Sequence, residues 1–131
     1  MKDKIKGSLT LNEFVEVADD NKKVWFVSHK GILKEFEFTN VNKVVKYAGL
    51  QSHRFYKLYV NVFRYADDLK LDRTIRGLEA GNIFDHYSKQ GFFFSNRSDM
   101  SAFLKHKLST IIRKHPKRLD LLVDNFPELL V

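Results

Sequence analysis

The residues best suited to chemistry alternate along one strand-like run, Arg54 to Arg64. At a period of two, Phe55, Lys57, Tyr59, Asn61 and Phe63 share one face, and Tyr56, Leu58, Val60 and Val62 share the other. Aromatics exposed on a sheet stack unpaired bases, and neighbouring Lys and Arg hold phosphates. Arg54, Lys57, Tyr59, Phe63 and Arg64 are therefore candidate contacts for RNA or another single-stranded nucleic acid. The competing reading is a strand buried on both sides, with Phe55, Tyr59 and Phe63 under a helix. The glycine of an RNA-recognition-motif strand is absent, and Asn61 stands where an aromatic is expected, so no family is assigned.

A second cationic cluster follows: Lys105, His106, Lys107, Arg113, Lys114, His115, Lys117 and Arg118. Much of this cluster lies off the apolar stripe and is expected to be solvated, with Lys105, Arg113, Lys114, Lys117 and Arg118 as candidate phosphate contacts. The plain alternative is ordinary helix-surface charge, with the C-terminal cations matched to the helix dipole.

Other chemistries find little support. Cysteine is absent, which excludes disulfides, cysteine-bound zinc, iron–sulfur clusters and thiol catalysis. Gly77 and Gly81 lack the Walker lysine of a phosphate loop, and no serine sits in a nucleophile elbow. The five histidines form no H-x-x-x-H or H-E-x-x-H pattern, so no metal site is expected. Asp67, Asp68, Asp72, Asp85 and His86 would be the acids and base of a metal-dependent nuclease, with Asp68-Leu69-Lys70 as its D-x-K element. Asp20-Asn21-Lys22 matches that element equally well in an evident turn. No cofactor is implied, and the chain reads as non-enzymatic.

The elements that must position these residues follow from local signals. Thr10 and Glu13 have capping-box spacing and predict a short helix over about 11–19. Val24–Ser28 and Ile32–Thr39 read as a hairpin turned at His29-Lys30-Gly31, with Lys34, Phe36 and Phe38 on one face and Glu35 and Glu37 on the other. Val41–Tyr47 either extends the meander or makes a helical turn. Residues 66–80 read as a loop with a helical turn, and 83–87 with 92–95 as a second hairpin. Ser98 opens a long helix whose stripe is Met100, Phe103, Leu104, Leu108, Ile111 and Ile112, and Pro116 either ends it or starts another helix at its first position. Leu119, Leu122, Val123 and Phe126 indicate a short final helix, and the tail Leu129-Leu130-Val131 is expected to dock on the core. Strands cluster and helices gather at the ends, which predicts an α+β fold. Its centre would be a small, strongly bent antiparallel β-sheet or partly open barrel. The long C-terminal helix would pack on that sheet.

The whole chain supports a folded domain. Its 131 residues are 44% hydrophobic and 14% aromatic, too apolar for disorder and enough for a single compact domain over 1–131. No run approaches the roughly 18 apolar residues of a membrane span, and none at the N-terminus resembles a signal peptide, so a cytoplasmic location is expected. The net charge of +7 is uneven: residues 21–66 carry nine basic and two acidic groups, and residues 91–119 carry seven and one. If the two blocks meet, they make a positive face. The expected function is a small basic protein that binds RNA, single-stranded nucleic acid or a nucleoprotein. The alternative is a protein-binding inhibitor or adaptor of phage or mobile-element type, such as an inhibitor of a host RNA-guided nuclease, which would take an acidic protein partner. A metal-dependent nuclease is the third reading.

Overall fold

A computed structural model describes the backbone of residues 5–19, 22–48, 51–65 and 69–130, and side chains there except at 19, 39–48, 51–59, 69, 77 and 78. The elements run α1 (Leu11–Asp19), β1 (Val24–Ser28), β2 (Leu33–Ala48), β3 (Gln51–Tyr65), β4 (Leu69–Leu78), α2 (Ala80–Ser88), β5 (Gly91–Phe94), α3 (Arg97–His106), α4 (Leu108–Lys114) and α5 (Pro116–Asn125). A 3₁₀ turn over Pro127–Leu130 follows.

The expected capping box forms at α1. Thr10 N–H donates to Glu13 Oε1 at 2.9 Å, and Glu13 N–H donates to Thr10 Oγ1 at 3.3 Å. The pair satisfies two of the donors that a helix start leaves without partners. The first hairpin also forms as expected, with Gly31 at φ 81° in its turn. A Cβ at Gly31 would sit 2.7 Å from Ile111 Cγ1. Glycine there both permits the turn and lets α4 dock against it.

The five strands form one open antiparallel sheet in the order β4-β3-β2-β1-β5. Four strands make a meander. Helix α2 then carries the chain from the β4 edge to the opposite edge, where β5 pairs with β1. The N-terminal segment covers part of the outer side of β5, with Leu9 N–H donating to Phe93 O at 2.8 Å. Gly91 is needed at the start of β5, because a Cβ there would collide with the Val27 carbonyl. Three bulges bend the sheet: one on β2 between Phe38 and Asn40, and two where β3 meets β4.

Helices cover the sheet on both sides. On one face Phe26, Phe36, Val60, Val62 and Phe93 pack against Phe14 and Ala18 of α1 and Ile83 and Tyr87 of α2. The ring centroids of Phe14 and Phe93 are 4.6 Å apart, and those of Phe36 and Tyr87 are 4.9 Å apart at 88°. Five of these rings meet edge-on or tilted, the arrangement that ring quadrupoles favour. On the other face Val27, Leu33, Tyr65 and Phe94 pack against Met100, Leu104, Ile111 and Leu122 of the C-terminal helices. Each such fully buried large side chain contributes roughly 1.5–3 kcal/mol.

This α+β architecture, helices packed on an open antiparallel sheet, is the predicted class, and several local assignments differ. Of the two readings of 41–47, extension of the meander holds, and β2 runs on to Ala48. The stretch 69–78 is the edge strand β4, not a loop. Residues 83–87 lie in helix α2, so the second hairpin does not form and β5 pairs with β1 instead. The long helix is two helices. It breaks at Lys107, whose N–H reaches both Leu104 O at 2.9 Å and Phe103 O at 3.2 Å. Its N-cap is Asn96, two residues before Ser98, with Oδ1 accepting from Asp99 N–H at 3.1 Å. Of the two readings of Pro116, the second holds: it opens α5 at its first position, where its missing N–H costs nothing. In the tail Leu129 is buried, and Leu130 is exposed.

Candidate nucleic-acid interface

The sheet places its candidate residues by alternation. Val60 and Val62 are buried on the α1/α2 face, as expected for that side of the strand. Asn61 and Phe63 point to the opposite face and are half-buried. Phe63 stands in register between Glu35 of β2 and Leu71 of β4, and Leu71 is 57% exposed. Two residues further on, Tyr65 is buried against Phe126, with ring centroids 5.6 Å apart. The C-terminal helices thus close this face at its Tyr65 end. Arg54, Lys57 and Tyr59 lie in β3, and their side chains are outside the described residues.

Glu35, on the β2 face that it was expected to share with Glu37, is buried. Only 8% exposed, its carboxylate accepts hydrogen bonds from the Tyr65 hydroxyl and, at 3.2 Å, from Trp25 Nε1. Lys23 Nζ lies 3.6 Å from the second oxygen. A buried carboxylate needs such donors. Burial, the bond to Glu35 and the carboxylate's charge all push the Tyr65 phenol well above its ordinary range.

The second basic block is distributed over three helices. Lys105 of α3, Arg113 and Lys114 in the last turn of α4 and Lys117 of α5 are all exposed. Arg118, also a candidate phosphate contact, is buried, at 8% exposure. The turn at Pro116 starts a new helix, and this rotates Arg118 inward off the line continued from α4. Lys105 lines a groove of about 340 Å³ with Arg97 and Glu128, and Arg97 is already committed to Glu128 at 3.1 Å. Lys117 shares a depression with Asp120 and Asp124, which offset its charge.

Arg64 joins the two basic blocks. It stands at the end of β3, opposite Lys34 of β2. The Lys34 ammonium is matched by Asp72 at 3.1 Å. Arg64 has no ion-pair partner among the described residues, and its buried Nε has no hydrogen-bond partner among them. It lies within electrostatic reach of His115, as do Arg118 and Lys114. Partial burial first, then the fields of Arg118, Arg64 and Lys114, hold the His115 imidazole below its ordinary value of 6.5. Residues of the block 21–66 and of the block 91–119 thus both act on the half-buried His115 ring. Sequence reasoning named Arg64, Lys114 and Arg118 separately, and their convergence was not readable from spacing.

Of the nuclease residues, only Asp72, Asp85 and His86 are among the described residues. Asp72 is paired with Lys34, while Asp85 and His86 are exposed on α2. Asp67 and Asp68 lie outside the described residues. No group of three or more His, Asp or Glu able to hold a metal occurs among the described residues. No helix among them is long and apolar enough to cross a membrane. Neither a family model nor a curated protein nor a solved structure matches this chain.

Proposed function

We propose that this protein is a non-enzymatic binder of single-stranded nucleic acid, RNA foremost, that uses the cationic surface around His115. The observation that carries the reading is that Arg64 of one basic block and Lys114 and Arg118 of the other all act electrostatically on His115. Like charges gathered on one surface raise the energy of the free protein locally, and a phosphate relieves it. Arg113 and Lys114 extend the surface along the last turn of α4, and Arg64 presents a planar fork suited to phosphate oxygens.

Fluorescence anisotropy with labelled single-stranded RNA, single-stranded DNA and duplex DNA across a salt series tests this. Submicromolar binding at low salt, steeply weakened by added salt and tightest for a single strand, is the expected result. Absence of binding to all three at low salt would reject the reading and direct attention to an acidic protein partner.

A further inference from the structure

The two edges of the sheet are protected differently. At β5 the chain covers its own edge: Ser8 bridges Phe94, and Leu9 N–H donates to Phe93 O at 2.8 Å. At the opposite edge β4 is the outermost strand, and no strand pairs with its outer side among the described residues. Its pairing with β3 is regular over 73–76, between the slips at Asp72 and Gly77. Every second residue of such a stretch turns its backbone N–H and C=O outward, and an unpaired row of this kind is a template for a further strand.

A cleft of about 250 Å³ lies beside this edge, between β4 and α2. Its floor is Ile75, Ile83 and Tyr87, each no more than 5% exposed, and its rim is Arg73, Asn82 and His86, all exposed. No carboxylate lines it among the described residues. The edge itself is cationic. Lys70, Arg73 and Arg76 are exposed, and Asp72, the acid of the strand, is already matched by Lys34 at 3.1 Å. These cations also disfavour a second copy of the chain. An antiparallel pairing centred on Arg73 would set it against its own counterpart and Lys70 against Arg76, and like charges directly opposite are destabilising.

We infer that β4 takes an extended acidic segment of a partner protein as a sixth strand, with one apolar side chain of that segment in the cleft beside α2. This goes beyond the nucleic-acid reading and does not depend on it. In strand addition the main-chain hydrogen bonds supply affinity, and pockets for alternate side chains supply specificity. Side chains of an added strand alternate between the two faces of the sheet, so every second one is directed to the side where the cleft lies. Acidic residues among them meet Lys70, Arg73 and Arg76, which attract such a partner and repel a basic one.

The probe is a displayed library of random octapeptides, selected on the wild-type protein in the absence of RNA. The selected peptides should be acidic, carry a large apolar residue and bind with micromolar affinity by fluorescence anisotropy. Arg73→Glu, at an exposed position, should weaken them at least about tenfold and leave the melting temperature unchanged. N-methylation of a selected peptide at alternate residues should abolish binding in one parity and spare it in the other, because only every second residue of an added strand bonds to β4. A library that yields no binder, binders without an excess of acid, unchanged affinity in Arg73→Glu, or equal loss from both methylation patterns would overturn the inference. So would a dimer of the free protein, seen by sedimentation, that the selected peptides dissociate, since it would assign the edge to a second copy of the chain.

Discussion

Glu35 and His115 show how much one titratable side chain depends on its surroundings. Glu35 is buried and held by Trp25 and Tyr65. Tyr65→Phe would take one donor from a buried carboxylate, and the expected cost is about 1–3 kcal/mol, read from urea denaturation. A loss below a few tenths would mean that Glu35 is hydrated after all. The Tyr65 phenol is held above its ordinary value, so its contribution is complete below pH about 10 and is lost only as the pH rises further through the folded value. His115 carries the opposite sign. Its value is lowered, so the unfolded chain binds the proton more readily, and stability should decline as the pH falls below 6.5 towards the folded value. A bound phosphate would reverse the local field and draw a proton onto the ring. RNA affinity should therefore rise between pH about 7.5 and 5.5 by more than it does in His115→Gln, measured by anisotropy at constant ionic strength.

At the scale of elements, the strength of a local signal decided how well it could be read. The capping box of Thr10 and Glu13 and the alternation of Val60 and Val62 are both reproduced. Strand β4 was hidden because its register with β3 slips twice, once at Asp72 and once near Gly77, and each slip breaks the period of two. That is also why Arg73 did not emerge as a site residue. Helix α2 was misread because Ile83, Phe84 and Tyr87 make an apolar cluster too short to show a helical period, and Glu79 gives its N-terminus no side-chain cap. The apolar stripe of α3 continues through α4, so periodicity alone could not locate the break at Lys107. The cations of the last turns were legible as residue types, whereas the inward turn of Arg118 depends on where α5 begins. Asn96 offers a test of the observed helix start. Asn96→Ala should cost about 0.5–2 kcal/mol in thermal or chemical unfolding, and Ser98→Ala should cost little. The reverse order would place the cap at Ser98.

The whole molecule is a sheet covered on both faces, and this bears directly on where a strand of nucleic acid can lie. The C-terminal helices bury Tyr65 and close one face at the end of β3. Arg64 stands next to Tyr65 at that end of β3, in register with Lys34 and Lys70. The basic blocks are separated in sequence by the acidic stretch 67–90, yet the end of β3 and the junction of α4 with α5 bring charges from both to His115. One site built from both blocks is the central claim. The most direct measurement is the salt dependence of single-stranded RNA binding for Arg64→Gln, Lys114→Gln and the double variant. Each phosphate contact with a single strand contributes a slope of about 0.7 in the logarithm of affinity against the logarithm of salt. Each single variant should flatten the slope by about 0.7, and the double variant by about 1.4. If Arg64→Gln leaves the slope and the affinity unchanged while Lys114→Gln alters both, the two blocks do not form one site.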